Sequence, residues 1–336
     1  MCSHLGRPKG FTPGLSLKPI AQYLTGVLGD EVSLAPDCVG ETTDRMVESL
    51  AAGRALLLEN LRFHPEEEAN DPDFARALAR GKGVYVNDAF GTAHRAHSST
   101  AGVTHFIAEK AAGMLMMTEL EALRTVTTNP ARPYVLIMGG AKVSDKIGVL
   151  WNMMAKVDTV LIGGAMAYTF LKARGIATGR STVEAEKLGV ARELEAEAKR
   201  RGVALMLPID HVVADEPREG VTAQSVTAIP PDKMGLDIGP RTIAEFIARI
   251  KGAKTIVWNG PLGYFELPSF ADGTLKVGEA VALAGATSVL AGGDTEAAVA
   301  KKAWARYFTH ISTGGGATLE FLEGRTLPGV SALDEE

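Results

Sequence analysis

Residues 134–146 read Tyr134-Val135-Leu136-Ile137-Met138-Gly139-Gly140-Ala141-Lys142-Val143-Ser144-Asp145-Lys146. Five apolar residues in a row have the length and composition of a β-strand covered on both faces. The two glycines end the run, and a helical pattern begins near Asp145. The same phrase recurs along the chain. Apolar runs at 55–61, 83–90, 134–138, 159–162, 203–207, 255–258 and 288–290 each lead into a cluster of glycine or polar residues. Candidate helices lie between them at 42–52, 145–157, 184–201 and 241–251. This alternation predicts an α/β architecture of doubly wound, Rossmann-like parallel sheets, with ligands bound beyond the carboxyl ends of the strands.

The length of 336 residues suits two domains. With 46% hydrophobic and 22% charged residues, the chain has the balance of a soluble globular protein. A net charge of −5 disfavours broad nucleic-acid binding. The longest small-and-apolar stretch, 280–293, is interrupted by Gly, Thr and Ser, so no membrane association is expected. Cys2 and Cys38 form neither a disulfide framework nor a zinc set, and no apolar leader opens the sequence. A reducing, cytoplasmic setting follows as the expectation. Residues 108–125 are rich in Ala, Met, Leu and Glu and read as a hinge helix, stopped by Thr127-Thr128-Asn129-Pro130. The expected division is a first domain at 1–107, the hinge at 108–129, a second domain at 130–310, and a segment at 311–336 returning toward the first domain.

The loops after the strands fall into two groups. In the first third they carry His4, Arg7, Arg62, His94, Arg95 and His97; after residue 130 they are rich in glycine, as at 139–140, 163–164, 292–293 and 314–316. Glycine allows backbone N–H groups to approach an anion, and a helix start adds partial positive charge. Lys142 and Lys146 oppose the dipole at a helix start, which a polyphosphate would explain; solvated surface lysines are the plainer reading. Asp294 could hold Mg²⁺ beside phosphates, or could be an N-cap. Several Arg with His in successive loops suit a small, multiply charged ligand. His94 and His97 share a helical spacing but have no third ligand, so no metal site is expected there. Neither G-x-x-x-x-G-K-[ST] nor G-x-G-x-x-G is present.

The segments SHLGRP, ENLRFH, NDAFGTAHRAHSS, GGAKVSDK, WNGPLGYFE, GGDT and HISTGGGA together resemble the phosphoglycerate kinase family, from Ser3 to the C-terminus. The resemblance implies a glycolytic kinase that moves a phosphoryl group between 1,3-bisphosphoglycerate and Mg-ADP, giving 3-phosphoglycerate and ATP. It implies that His4, Arg7, Arg62 and Arg95 hold phosphoglycerate. Lys142 would stabilise the phosphoryl group in flight, and Lys146 would contact nucleotide phosphates. Gly140, Ala141, Gly164 and Gly235 would line the nucleotide site, with Asn259 near the phosphates and Glu266 at the ribose. Asp294 would position Mg²⁺ beside Gly293 and Thr295, and Gly314, Gly315 and Gly316 would cradle the transferred phosphate. A monomer is expected. The acceptor carboxylate is ionised at neutral pH and needs no general base, so catalysis rests on positioning and charge cancellation.

The family's sequences place a strand–helix–strand segment ahead of SHLGRP that is not in the chain as written, and with it an Asp, an Asn and an Arg of the substrate site. The resemblance therefore implies impaired activity and a loosely folded first domain for this exact sequence. The alternative is a non-catalytic, nucleotide-binding relative. Smaller departures are Ala291, where a third glycine is usual, and Ala165 after Gly163-Gly164.

Overall fold

A computed structural model describes residues 1–334. The first elements are α1 (Lys18–Leu28), β1 (Val32–Leu34), α2 (Glu41–Glu48), β2 (Ala55–Leu57), α3 (Pro65–Ala69), α4 (Pro72–Ala79), β3 (Val84–Asn87), β4 (Glu109–Ala112) and α5 (Met114–Thr127). There follow β5 (Tyr134–Met138), α6 (Ile147–Met153), β6 (Thr159–Ile162), α7 (Met166–Ala173), α8 (Leu188–Arg201), β7 (Ala204–Met206), β8 (His211–Ala214), β9 (Gln224–Val226) and β10 (Met234–Ile238). The last are α9 (Pro240–Ile250), β11 (Thr255–Asn259), α10 (Asp272–Ala282), β12 (Thr287–Ala291), α11 (Gly293–Val299), β13 (His310–Ile311), α12 (Gly316–Leu322) and α13 (Pro328–Ser331). The chain divides into two compact units, Met1–Met117 with Thr326–Glu336, and Thr118–Arg325. Among the described residues no helix is long and apolar enough to cross a membrane.

The second unit is built on a six-stranded parallel sheet in the order β13-β12-β11-β5-β6-β7. Its central strands β5, β6 and β11 are buried along their whole length. Side chains alternate between the two faces, so both faces need cover. One face packs Val135, Ile137, Ile256 and Trp258 against Ile243, Phe246 and Ile250 of α9 and Val277 and Val281 of α10. The register then decides where chemistry can sit. Ile162 pairs with Met138, Met138 with Asn259, and Asn259 with Ala291. The strands therefore finish level, and the next residues, Gly139, Gly163, Gly260 and Gly292, stand in one row along the carboxyl edge. A separate antiparallel sheet, β10-β8-β9, adds to the expected parallel architecture, with a bulge between Gly235 and Asp237.

The first unit contains two parallel pairs, β1-β2 and β3-β4. Met1 lies along β2, its amino group donating to Leu56 O at 2.6 Å and its carbonyl accepting from Leu58 N at 2.9 Å. Leu56, Leu58 and Leu61 pack on Phe74 and Leu78 of α4. Three expectations need correction here. The 55–61 run is a strand only to Leu57, after which Asn60 turns the chain into a 3-10 helix over Leu61–Phe63. The 83–90 run shortens to Val84–Asn87, and it is not covered on both faces, because Val84 and Val86 are each 57% exposed. The helix expected over 108–125 begins only at Met114; Glu109–Ala112 pairs with β3, and ladder pairing overrides the helical propensity of Glu, Lys and Ala. In the C-terminal segment, residues 311–325 group with the second unit and only Thr326–Glu336 with the first.

These burial patterns predict unequal protection from hydrogen exchange. Amides of β5 and β11 should exchange among the slowest in the chain, and those of Val84–Asn87 markedly faster. Segment-resolved exchange by mass spectrometry checks this; equal protection of β3 and β5 would contradict it.

Candidate active site

The glycine row of the second unit works differently from the sequence expectation. Gly139 N donates to Asn259 O at 2.9 Å and Gly140 N to Pro261 O at 2.8 Å. Gly163 N donates to Met138 O and Gly164 N to Leu262 O, each at 2.9 Å. These N–H groups are spent inside the protein and do not face an incoming anion. What the glycines provide is close approach. A Cβ on Gly164 would stand 2.6 Å from Gly140 N and 2.8 Å from Pro261 O, and one on Gly139 would collide with the carbonyls of Gly260 and Pro261. Three loops thus meet backbone to backbone at the carboxyl edge of the sheet.

Polar side chains gather above this floor. Lys146 occupies the N-cap position of α6, and its Nζ donates to Asn259 Oδ1. Asn259 is buried at the end of β11, and its Nδ2 donates to Ala291 O at 2.9 Å. Thr295, buried in the first turn of α11, accepts from Gly260 N at 2.8 Å. Burial lowers the pKa of Lys146, while the negative charges of Asp145 and Asp294 oppose that shift. Gly293 and Asp294 are exposed at the start of α11, and Ala141 and Lys142 are exposed on the loop that leads to Lys146. Lys146, Asn259, Asp294 and Thr295 are therefore brought together. Glu266 is exposed on the loop after β11. Gly235 is buried in β10, where its N–H donates to Ser181 Oγ at 2.9 Å and Tyr168 fills the space a Cβ would need.

The glycine run 314–316 depends on a residue that the sequence reading missed. Glu119 is fully buried in α5, on the same helix face as Met116 and Leu123. Its Oε1 accepts from Thr313 N at 2.7 Å and Thr313 Oγ1 at 2.8 Å, and its Oε2 lies 2.8 Å from His310 Nε2. Burial works against the charged form, yet these hydrogen bonds outweigh it and hold the carboxyl down at about 2. Gly314 N donates to Ser312 Oγ at 3.2 Å, and Gly315, at φ 51°, turns the chain into α12. The signal was present in the sequence as one carboxylate on an apolar helical face.

In the first unit the basic loops converge. Burial lowers the pKa of His4, and the positive charges of Arg62 and Arg95 lower it further. Arg62 donates to Gly6 O at 3.0 Å and lies 3.2 Å from Glu68 Oε1, so the loop carrying Arg7 is tied to Arg62. The clamp beneath is Asn60, also missed. It is fully buried, donates to Leu5 O at 2.8 Å and Leu15 O at 2.9 Å, and accepts from Leu5 N and Arg62 N. Among the described residues, the trio whose ligand atoms could share a cation is Asp37, Cys38 and His64. Each already has a protein partner: Cys38 Sγ donates to Glu59 O at 3.0 Å, and His64 Nε2 lies 2.6 Å from Asp37 Oδ1. His97 is buried with Nδ1 3.9 Å from Glu67 Oε1.

A parallel sheet with lysines and a carboxylate at its carboxyl edge in the second unit, and clustered arginines in the first, are the equipment of an α/β phosphotransferase. The comparisons define the family. A phosphoglycerate kinase family model matches residues 1–325. Phosphoglycerate kinase of Koribacter versatilis (strain Ellin345) is 54% identical over 344 residues, covering 99% of this chain and 85% of the relative. That of Anaeromyxobacter dehalogenans (strain 2CP-C) is 54% identical over 342 residues, covering 100% of this chain and 86% of the relative. The solved phosphoglycerate kinase of Coxiella burnetii has a TM-score of 0.90 at 41% identity, covering 99% of this chain and 85% of that one. That of Pyrococcus horikoshii OT3 has a TM-score of 0.85 at 32% identity, covering 98% and 84%. The chain belongs to the phosphoglycerate kinase family. Its reaction is phosphoryl transfer, and the non-catalytic alternative finds no support among these relatives.

The Glu119 cluster carries a pH prediction. Its folded pKa lies below the ordinary carboxyl value of 4.5, so its stabilisation is complete above that value and is lost as pH falls toward about 2. Glu119→Gln should lower unfolding free energy at neutral pH by about 2–3 kcal/mol. Urea titrations of both proteins across the acid range should show the difference shrinking as pH falls. A difference that does not change with pH would contradict the assignment.

Proposed function

We propose that the second unit binds the nucleotide and the first unit binds phosphoglycerate. The carrying observation is the Lys146–Asn259 pair, with Thr295 bonded to the adjacent Gly260 N and Asp294 beside Lys146, raised on the glycine floor at the carboxyl edge of the sheet. Two lysines on one loop suit the charge of a di- or triphosphate. Gly140, Ala141, Gly164 and Gly235 form the wall on which the nucleotide lies, and Glu266 takes its ribose hydroxyls. Asp294 offers exposed carboxylate oxygens next to the phosphate position, which is the donor chemistry Mg²⁺ prefers. When bound there, Mg²⁺ would neutralise phosphate charge. His4, Arg7, Arg62 and Arg95 hold 3-phosphoglycerate or 1,3-bisphosphoglycerate, Arg side chains gripping its oxygens through paired N–H donors.

In the ATP-consuming direction a carboxylate oxygen of 3-phosphoglycerate attacks the terminal phosphorus. The new O–P bond forms as the bond to the bridging oxygen breaks, and ADP leaves with that electron pair. The carboxylate carries no proton at neutral pH, so none has to be removed. Lys142 cancels charge on the moving group, and the turn of Gly314, Gly315 and Gly316 receives its oxygens, Gly314 N being held by Ser312 Oγ so that Gly315 and Gly316 are the donors. The protein works in the cytoplasm as a monomer on these small anions.

Calorimetry with Mg-ADP and steady-state kinetics test this reading. Lys146→Ala and Asp294→Ala should weaken Mg-ADP binding by about tenfold or more. Lys142→Ala should lower kcat by about 10²–10³-fold, with smaller changes in KM. Folded wild-type protein that binds no nucleotide, or a Lys142→Ala variant of normal kcat, would overturn it.

A further inference from the structure

The loop that carries Lys142 and Lys146 has no regular structure of its own to hold it. Between Gly140 and the start of α6 at Ile147 it must keep its shape by side-chain contacts. One residue supplies most of them. Glu184, just ahead of α8, turns its carboxylate onto this loop from 40 residues away in sequence. Its Oε2 accepts from Val143 N at 2.5 Å and from Ser144 N at 3.1 Å, and its Oε1 accepts from Ser144 Oγ at 2.6 Å.

Glu184 is itself anchored. Its backbone N–H donates to Oγ1 of Thr169 at 3.1 Å, and Thr169 is buried in α7. The turn leading into α7 holds Gly164, which packs on Gly140. The carboxylate therefore ties the lysine loop to the helix behind the glycine floor and closes a ring of contacts around it. The other group near this carboxylate is Lys142, whose charge favours its ionised form. The two successive N–H groups of Val143 and Ser144 form the kind of concavity that binds anions. Here a protein carboxylate fills it, so those donors set the shape of the loop and are not left for substrate.

We propose that Glu184 is a positioning residue for phosphoryl transfer: it fixes the conformation of the loop from Ala141 to Asp145 and acts on the reaction only through Lys142 and Lys146. The inference rests on the roles given above to those two lysines. It makes a sharp distinction between shape and charge. Glutamine can reproduce all three contacts, its carbonyl accepting from both N–H groups and its amide donating to Ser144 Oγ. Alanine reproduces none. Aspartate keeps the charge but falls short by one methylene.

The test is a set of kcat and KM values for Glu184→Gln, Glu184→Ala and Glu184→Asp, alone and in a Lys142→Ala background, with thermal melting of each. Displacing a catalytic group by about 1 Å costs about 100-fold in rate, so Glu184→Ala should lose kcat on that scale. Its KM for phosphoglycerate should be unchanged, because the residues assigned to that substrate lie in the first unit. Glu184→Gln should retain most of the activity, and Glu184→Asp should fall between the two despite its charge. In the Lys142→Ala background the Ala substitution should have little further effect on kcat. A Gln variant as inactive as Ala, or folded Ala and Asp variants with normal kcat, would overturn the proposal. If Ala does not fold, the Asp and Gln pair decides it, since shape and charge predict opposite orders. Should Lys142→Ala itself leave kcat unchanged, the reading of the lysine fails first, and with it the proposal; a damaging Lys142→Ala beside a normal Glu184→Asp sinks the proposal alone.

Discussion

The site in the second unit depends on backbone-to-backbone contact between the loops that follow β5, β6 and β11. Level strand ends put Gly139, Gly163 and Gly260 in one row. The absence of side chains at Gly139, Gly164 and Gly260 then lets carbonyls and amides of neighbouring loops bond directly. The amides of Gly139, Gly140, Gly163 and Gly164 each find a carbonyl and that of Gly260 finds Thr295 Oγ1, so the close approach leaves none of these donors unpaired. Above this floor, Asn259 at the end of β11 reaches the lysine loop on one side and the backbone at Ala291 on the other. The polar cluster inherits its geometry from the sheet.

The first unit reaches a similar end by different means. Its strands are short and its cores small, so loops are held by buried polar side chains. Glu59 accepts from Ser16 Oγ, Leu17 N and Asn60 N, while Asn60 grips the loop ahead of Arg7. Buried carboxylates and amides are stable only when fully hydrogen-bonded, and here their partners are the loops that carry His4 and Arg62. Arg62 is itself tied to Gly6 O and Glu68, which joins the loop of Arg7 to the same framework. Asp88 and Asn87 do comparable work at the next strand end, where Asp88 accepts from Met116 N and Asn87 donates to Gly329 O.

How much of this the sequence disclosed follows from burial. The runs that became β5, β6, β11 and β12 were legible because a strand covered on both faces is apolar throughout. The short β8, β9 and β10, with residues such as Gln224 and Ser225, carry no comparable signature, and the antiparallel sheet went unread. Residues 109–112 look helical in composition, yet pairing with β3 makes them a strand. The glycine clusters were legible at the strand ends but their role was not, since the carbonyls that take up their N–H groups lie far away in sequence. Asn60, Glu119 and Glu184 act through partners distant in sequence, and nothing local to them records those partners.

The most direct test of this account adds a single methyl group to the floor. Gly164→Ala would push against Gly140 and Pro261 without touching any charged residue. Mg-ADP titration calorimetry on that variant, shown by circular dichroism and melting to be folded, should give an affinity lower by about tenfold or more, equivalent to at least about 1.4 kcal/mol. A folded Gly164→Ala protein that binds Mg-ADP as tightly as the wild type would contradict the claim that the glycine floor sets the site.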